Sequence, residues 1–351
     1  MGIKQRNRPT EARNTETDEA ATMKAIVQDE YGEADDVLRL EEIPRPEIGD
    51  DEVLLRVHAA GVDRGVWHLM TGLAYPIRLA GYGVRAPKNH VRGREVAGRV
   101  EAVGKDVTTP RPGDEVFGIG EGTFADYARA AAAKLAPKPK NITFEQAAAV
   151  PVSAVTALQG LRDRAQVRPG QKVLVIGASG GVGTFAVQIA KAFGAEVTGV
   201  SSTPKVDVVR SIGADHVIDY RREDFADGRQ RYDVILDTGG HHRLTDLRRA
   251  LTPRGTLVIV GSETGGRWLG GIDRQLRALI LSPFVGQRLR GLLTSENAKD
   301  LVVLTELIES GKVIPVVDRT YPLSETPAAI RYMREGRARG KVVITVSTDR
   351  P

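Results

Sequence analysis

A glycine-rich turn between a strand-like run and a helix constrains the fold of this chain more than any other feature. The apolar residues 172–176 predict a buried strand, the sequence GASGGVG follows at residues 177–183, and residues 184–193 have the pattern of a helix. The middle glycines let the backbone approach a pyrophosphate, and the last one lets the helix pack closely on the strand. Because free N–H groups and a positive partial charge mark a helix N-terminus, this unit predicts a dinucleotide-binding site.

Strand-like runs alternate with helical segments after this unit. They lie at residues 196–200, 216–218, 233–237 and 256–260. Such alternation is typical of an α/β fold with a doubly wound parallel sheet. The runs are almost continuously apolar, as expected for parallel strands that are covered on both faces.

The segments on either side of the nucleotide unit are richer in β-structure. Alternating apolar residues and turn signals recur before residue 143, and two strand-like runs, residues 312–317 and 341–346, flank a helix near the end of the chain. We therefore expect a β-rich domain of residues 22–143 and 313–351. The nucleotide domain, residues 144–312, is inserted in it.

Composition excludes several classes of protein. The absence of cysteine rules out disulfides, cysteine nucleophiles and cysteine-ligated zinc. No apolar run approaches the roughly 18 residues of a membrane span. Residues 1–21 are polar and predict a disordered tail without a secretory signal. The net charge of +5 is spread among nearly equal acids and bases, which does not favour nucleic-acid binding. We expect a cytoplasmic protein that binds neither nucleic acid nor membrane.

The end of the second nucleotide-domain strand indicates which dinucleotide is bound. NAD-binding sites usually place an acid there, whereas this chain has Ser201, Ser202 and Lys205, with Tyr220 after the next strand. Hydroxyls and a cation suit a 2′-phosphate, so we predict NADP(H) as the cofactor. In the alternative interpretation, Lys205 is a solvated helix residue and Tyr220 only packs.

These motifs together resemble the medium-chain dehydrogenase/reductase superfamily. The GASGGVG loop, the RPGDEV turn at residues 111–116 and the GKVVI sequence at residues 340–344 carry the resemblance, which covers residues 23–346. The loop and the hydroxyl-plus-lysine segment are similar to those of the zinc-free quinone oxidoreductase branch, which includes zeta-crystallin. The resemblance implies a GroES-like catalytic domain, a Rossmann domain and an active-site cleft between them.

The resemblance also implies roles for individual residues. Those similar to the family's cofactor contacts are Gly180, Gly181 and Val182 at the diphosphate, Ser201, Ser202, Lys205 and Tyr220 at the adenosine phosphate, and Thr156, Val260, Gly261 and Ser262 toward the nicotinamide. Lys341, near the returning catalytic domain, is a further cofactor-binding candidate. Zinc-dependent members carry Cys, His and Cys where this chain has Asp63, Arg94 and Val152, which cannot hold the ion. We therefore expect no metal.

Without a Lewis acid, a conjugated acceptor such as a quinone or an α,β-unsaturated carbonyl is favoured over an alcohol, because it delocalises the developing charge. His68 and Asp63 are the candidate catalytic residues. His68 could donate a proton, or it could only pack beside Trp67. Asp63 could instead form a structural ion pair with Arg64.

Alternative functions remain open at this point. The chain could bind NADP with little catalysis, as a crystallin-like or redox-sensing module, or it could be a zinc-free alcohol dehydrogenase. Residues 265–293 are rich in arginine and apolar side chains, and they could cover the cleft or form a subunit contact. From the resemblance and the apolar stretch at residues 268–284 we expect a homodimer.

Overall fold

The computed structural model describes residues 22–76, 78–261 and 272–346. The strands within this part of the chain are β1 (Thr22–Val27), β2 (Arg39–Pro44), β3 (Glu52–Val62), β4 (Glu95–Val103), β5 (Glu115–Ile119), β6 (Tyr127–Ala131), β7 (Leu135–Pro137), β8 (Lys172–Ile176), β9 (Glu196–Ser201), β10 (His216–Asp219), β11 (Tyr232–Asp237), β12 (Leu251–Ile259), β13 (Arg288–Gly291), β14 (Val317–Pro322) and β15 (Lys341–Thr345).

Helices connect and cover these strands. The α-helices are α1 (Ala34–Val37), α2 (Arg64–Thr71), α3 (Phe144–Ala148), α4 (Pro151–Gln159), α5 (Gly181–Ala192), α6 (Val206–Ser211), α7 (Leu244–Ala250), α8 (Ile272–Leu281), α9 (Ala298–Glu309) and α10 (Thr326–Arg334). Short 3-10 turns lie at Ala132–Lys134, Thr203–Lys205, Ser282–Phe284 and Leu323–Glu325, and π-turns lie at Arg78–Tyr82 and Gly160–Ala165. None of the described helices is long and apolar enough to cross a membrane.

One sheet is mainly antiparallel and combines strands from both ends of the chain. Its order is β14-β15-β3-β4-β5-β7, and β6 also pairs with β3. The end of β3 lies beside the start of β4, because Ala59 is paired with Ala97 and the two strands run in opposite directions. The residues just after β3 and those just before β4 therefore lie next to each other at one end of this sheet.

The other sheet is parallel, with the order β10-β9-β8-β11-β12-β13. The strand order reverses between β8 and β11. In sheets of this kind, ligands bind in the crevice at the carboxyl ends of the strands, next to the reversal. The β-rich sheet and this Rossmann-type sheet confirm the predicted α/β fold class. The domain limits at residues 143 and 313 stay predictions.

Helix α4 connects the two parts of the fold. Its buried side chains belong to a hydrophobic cluster that reaches from Ala59 and Phe117 in the β-rich sheet to Val173 in the parallel sheet. A second contact is a short parallel bridge between Gly180 and Gly340, in which the Gly340 N–H donates to the Ser179 carbonyl at 2.9 Å. The glycine-rich turn is thereby held against the start of β15.

The helical pattern of residues 144–161 is interrupted at Pro151, as the proline predicts: α3 ends at Ala148, and Pro151 starts α4 at a position where its missing N–H costs nothing. One local detail differs from the sequence pattern. The strand predicted at residues 312–317 begins only at Val317. The N–H groups of Lys312 and Val313 instead donate to the Leu307 carbonyl and close the end of α9.

Candidate active site

The glycine-rich turn forms a narrow cradle at the end of β8. Gly177 has a φ of 79°, a conformation that favours glycine. A Cβ at Gly183 would lie 2.1 Å from the Gly177 carbonyl oxygen, so a side chain there would displace backbone. Gly180 caps α5, and Gly181 and Val182 lie in its first turn, where N–H groups precede the first intrahelical bonds. The cradle has the close backbone approach and the free N–H groups that a pyrophosphate requires, and the roles of Gly180, Gly181 and Val182 stay predictions.

The residues predicted to hold the adenosine phosphate come together at the carboxyl ends of β9 and β10. The Tyr220 N–H donates to the Ser201 carbonyl at 3.1 Å, and Ser202 precedes the turn that contains Lys205. Ser201 is buried, and its Oγ has no hydrogen-bond partner among the described residues. A buried hydroxyl without a partner is costly, so a ligand at this edge would satisfy it.

The sequence did not indicate the contacts that two side chains, Lys205 and Asp219, make at this edge. Lys205 Nζ donates to the carbonyls of Gly336 at 2.5 Å and Ala338 at 2.7 Å, so this lysine also ties the turn after β9 to the end of α10. A hydrogen bond with Thr203 holds the pKa of Asp219 below its usual range. Arg222 reaches within 3.6 Å of the same carboxylate, so a cation accompanies this acid.

The nicotinamide candidates lie at the carboxyl end of β12 and on α4. The Val260 N–H donates to the Asp237 carbonyl at 3.0 Å, and Gly261 follows it, with no described residue within 4 Å of the place where a Cβ would project. Ser262 lies outside the described residues. The buried Thr156 donates its hydroxyl proton to the Val152 carbonyl at 2.7 Å, which leaves its oxygen able to accept a further bond.

Lys341 extends past the cradle toward a buried acid. Its Nζ forms an ion pair with Glu95 Oε2, and a Cβ at Gly181 would lie 3.0 Å from the Lys341 Cδ. Glu95 Oε1 accepts from the Val152 N–H at 2.9 Å. Complete burial raises the pKa of Glu95 to about 7, against the opposing effect of Lys341. The lysine stem therefore lies next to the cradle, and its ammonium is committed to a residue that the sequence did not indicate as its partner. Its role in cofactor binding stays a prediction.

Asp63 and Arg94 meet at the edge where β3 ends and β4 begins. Asp63 is the N-cap of α2, and its Oδ1 accepts from the Val66 N–H at 3.2 Å. Its Oδ2 is buried without a hydrogen-bond partner in the described part of the chain. A Cβ at Gly65 would lie 2.7 Å from Asp63 Oδ1 and 2.9 Å from Arg94 Nη1, so both groups flank the same point.

Arg94 also pairs with the other part of the fold. Its Nη2 donates to Glu296 Oε1, and Lys134 Nζ donates to Glu296 Oε2 at 2.9 Å. Burial alone would raise the pKa of Glu296, but the two cations hold it below its usual range. Burial would lower the pKa of Arg94, and Asp63 and Glu296 overcome that effect and raise it. The guanidinium is thus a permanent charge between two carboxylates.

His68 lies on α2, one turn beyond Asp63. Its Nδ1 is 3.0 Å from the Leu73 carbonyl oxygen. Since a carbonyl can only accept, Nδ1 carries the proton, and the Nε2 of a neutral ring is an acceptor. Burial lowers the pKa of His68 below 6.5. At neutral pH this ring has no N–H left for a substrate oxygen.

The donor set does not fit zinc. Asp63 is a possible ligand, but an arginine and a valine stand at the other positions that correspond to zinc ligands, and neither can bind the ion. No group of three or more histidine, aspartate or glutamate side chains that could hold a metal ion lies within residues 22–76, 78–261 and 272–346. We derive no chemical step through a metal.

Comparisons with known proteins agree with this architecture. Residues 49–140 match the model of the alcohol dehydrogenase GroES-like domain, and residues 212–344 match the model described as zinc-binding dehydrogenase. The chain is 34% identical to a 2-methylene-furan-3-one reductase of Solanum lycopersicum, over 92% of this chain and 79% of the relative. It is 36% identical to a chloroplastic NADPH-dependent alkenal/one oxidoreductase of Arabidopsis thaliana, again over 92% and 79% of the two chains.

Comparison with a solved structure shows the same two-sheet architecture. The quinone oxidoreductase of Coxiella burnetii superposes with a TM-score of 0.79 and 29% sequence identity. The match covers 93% of this chain and all of that one, so the likeness includes both sheets.

Proposed function

The chain belongs to the medium-chain dehydrogenase/reductase superfamily of oxidoreductases, which use a nicotinamide cofactor, and we propose that it uses NADPH to reduce a quinone or an α,β-unsaturated carbonyl compound without zinc. The observation that carries the proposal is the cleft corner itself. Asp63 and Arg94 stand there in a donor set that cannot ligate zinc, and the Lys341–Glu95 ion pair joins the glycine cradle to the start of β4, directly after Arg94.

The described residues suit a nicotinamide dinucleotide, which when bound supplies a hydride. Gly180, Gly181 and Val182 would hold the pyrophosphate through backbone N–H groups at the start of α5. Thr156, Val260 and Gly261 would border the nicotinamide half. Ser262 and Lys341 are part of the same proposed set.

The choice of NADPH rests on the edge formed by β9 and β10. Ser201, Ser202 and Lys205 would bind the 2′-phosphate, and Tyr220 would lie beside it, half exposed. A dianionic phosphate favours hydroxyl donors and a cation, whereas ribose hydroxyls favour a carboxylate acceptor. The unpartnered Ser201 Oγ supports this choice. Asp219 argues in the opposite direction, because the hydrogen bond with Thr203 lowers its pKa and keeps it charged. Arg222, 3.6 Å from this carboxylate, offsets part of that charge.

The choice of reaction class rests on the donor set of Asp63, Arg94 and Val152, which does not fit a zinc ion that could act as a Lewis acid. A metal stabilises an alkoxide by several kcal/mol, and hydrogen bonds must replace it here. A conjugated acceptor needs less help, because its developing charge is spread over several atoms. We propose His68 as the residue that carries the proton. It must first take a proton from solvent at Nε2, since its Nδ1 proton is committed to Leu73. Asp63 is proposed to orient the groups at this corner.

Assembly and location complete the proposal. Leu276, Leu279, Ile280 and Phe284 are exposed on and after α8, next to the edge strand β13, and we propose that they are covered in a homodimer. We also propose a cytoplasmic location, although the Arabidopsis relative is named as chloroplastic. A monomeric mass in solution at micromolar concentration would contradict the dimer.

One experiment tests the activity. The protein is incubated with NADPH or NADH and a panel of quinones, enals, enones and simple alcohols, before and after exhaustive chelation and metal analysis. We expect NADPH oxidation with the conjugated acceptors that survives chelation. Cofactor binding without turnover would favour the non-catalytic interpretation, and activity that requires stoichiometric zinc would contradict the metal-free site.

A further inference from the structure

The proposed reaction leaves one requirement that its candidate residues do not meet. The substrate's carbonyl oxygen gains negative charge during hydride addition and needs a hydrogen-bond donor. A neutral His68 cannot donate to it, because its single N–H faces the Leu73 carbonyl. A carboxylate at Asp63 accepts hydrogen bonds and repels negative charge. The donor must therefore be another group at this corner.

We propose that Arg94 is a catalytic residue whose guanidinium binds the carbonyl oxygen of the substrate and stabilises the charge that develops there. The inference rests on the proposed function and assigns to Arg94 the electrostatic role in that reaction. The side chain is 28% exposed, so part of it is accessible to a ligand while most of it is held in the protein.

The position of Arg94 places it where the two sheets meet. In the β-rich sheet, Arg94 directly precedes β4 and lies beside the end of β3. From the parallel sheet, Glu296 reaches it from the segment after β13. That segment begins with Leu292, whose N–H donates to the Ile259 carbonyl at the carboxyl end of β12. Because ligands of such sheets bind at this end, Arg94 lies on the side where a nicotinamide and its acceptor would meet.

The surroundings of Arg94 fix its direction and leave donors available. Glu296 holds Nη2, and within the described residues no other side chain or carbonyl accepts a hydrogen bond from the guanidinium. Nη1 lies against Gly65 and near the Asp63 carboxylate, since a Cβ at Gly65 would lie 2.9 Å from Nη1 and 2.7 Å from Asp63 Oδ1. Arginine carries five N–H donors, so one pairing leaves several for a ligand.

The chemistry balances with the cofactor of the proposed function. A hydride and its electron pair, supplied by the reduced nicotinamide, form a C–H bond at the β-carbon of an enone. The C=C π electrons move to form the enolate, whose oxygen is stabilised by the Arg94 N–H groups. A proton then adds to the α-carbon, so that the enone, NADPH and one proton give the saturated carbonyl compound and NADP+. Arg94 itself gains and loses no proton.

A purely structural role is the competing explanation, because Arg94 and Lys134 both pair with Glu296 and so join the two parts of the fold. The variant Arg94→Gln is therefore compared with Lys134→Gln and Glu296→Gln. Each removes one side of the same charge cluster. Arg94→Lys keeps the charge and loses the planar fork. Thermal unfolding and NADPH affinity are measured for all four, so that misfolding is recognised.

Two measurements on each variant test the inference. One is kcat and KM for NADPH-dependent reduction of an enone. The other is the binding of 4-nitrophenol to the protein loaded with NADP+, at an acidic pH at which the free phenol is protonated, so that the visible phenolate absorption comes from bound ligand only. The phenolate is a stable mimic of the enolate oxygen and needs no turnover.

We expect Arg94→Gln to lower kcat by about 100-fold or more and to abolish the phenolate absorption, with NADPH affinity unchanged. Guanidinium added to Arg94→Ala should restore part of the turnover. Lys134→Gln should keep kcat within a few-fold of the wild type. Equal losses in Arg94→Gln, Lys134→Gln and Glu296→Gln, or a full phenolate signal in Arg94→Gln, would overturn the inference. A wild-type protein that reduces no enone or quinone would instead contradict the proposed function, and the phenolate measurement would still test Arg94.

Discussion

Lys341 Nζ is paired with Glu95 Oε2 in a place where both side chains are shielded from solvent, with exposures of 3% and 0%. The pair joins the start of β15 to the start of β4, and the second carboxylate oxygen holds the Val152 N–H at the entrance to α4. The lysine stem passes the cradle at Gly181 on its way. One buried ion pair therefore connects the β-rich sheet, α4 and the cofactor cradle.

Removal of Lys341 should destabilise the fold strongly. Lys341→Met leaves the Glu95 carboxylate buried without its partner, which typically costs about 3–5 kcal/mol of unfolding free energy. The double variant Lys341→Met/Glu95→Gln removes both charges and keeps an acceptor for the Val152 N–H, so it should recover much of the loss. Urea unfolding measures both.

A surface pair provides the control for this prediction. Lys105 and Asp50 are 71% and 62% exposed, so Lys105→Met should change the free energy of unfolding by less than about 1 kcal/mol. A Lys341→Met protein as stable as Lys105→Met would show that the buried pair contributes no more than a surface one.

Asp63 caps α2, and its charge is proposed to orient the groups at this corner; two substitutions distinguish the cap from the charge. Asparagine caps helices as well as aspartate does, so Asp63→Asn should keep α2 and the unfolding free energy nearly unchanged. Asp63→Ala loses the cap bond to the Val66 N–H and should cost about 0.5–2 kcal/mol. Denaturation and kcat are measured for both variants. A loss of stability in Asp63→Asn that equals the loss in Asp63→Ala would show that the charge, and not the cap, holds this corner.

Lys205 tests the choice of cofactor. Lys205→Ala removes the proposed cation for the 2′-phosphate and should weaken NADPH binding about tenfold or more, while NADH affinity stays nearly constant. The same substitution also breaks the bonds to the Gly336 and Ala338 carbonyls. Because damage to that contact would affect both cofactors, their dissociation constants are measured in parallel. Equal losses for NADPH and NADH would assign Lys205 a structural role alone.

The sequence predicted what depends on neighbouring residues and missed what depends on distant ones. The strand–turn–helix unit around Gly180 and Gly181 is written in consecutive residues, and the parallel sheet follows from repeated apolar runs. The partner of Lys341 is 246 positions away, and Glu296 is 202 positions from Arg94. Neither pairing has a local pattern, since each depends on the way the two sheets meet.

The sequence indicates only that Arg94 cannot bind zinc. The structure adds the carboxylates of Glu296 and Asp63 beside it, which keep the guanidinium a fixed cation. His68 shows the reverse case. The sequence indicates His68 as a proton donor, but only the structure reveals that the Leu73 carbonyl determines its tautomer.

The pH dependence of turnover tests the proposed proton carrier. Burial lowers the pKa of His68 below 6.5, so the ring is neutral near pH 7 and must be protonated before it can give a proton away. If His68 delivers the proton, kcat should fall as the pH rises through this lowered pKa. His68→Phe should lower kcat at least about tenfold, flatten the profile in this range and leave NADPH affinity unchanged.

The same lowered pKa predicts the sign of a stability effect. The unfolded chain binds a proton at His68 more readily than the folded one, so the contribution of His68 to stability is present above pH 6.5 and is lost as the pH falls through its lowered pKa in the folded state. Urea unfolding of the wild type and of His68→Phe over this range measures the difference.

If kcat of the wild type and His68→Phe has the same pH profile and magnitude, solvent supplies the proton directly. The protein then contributes the proximity of the two reactants and the charge at Arg94.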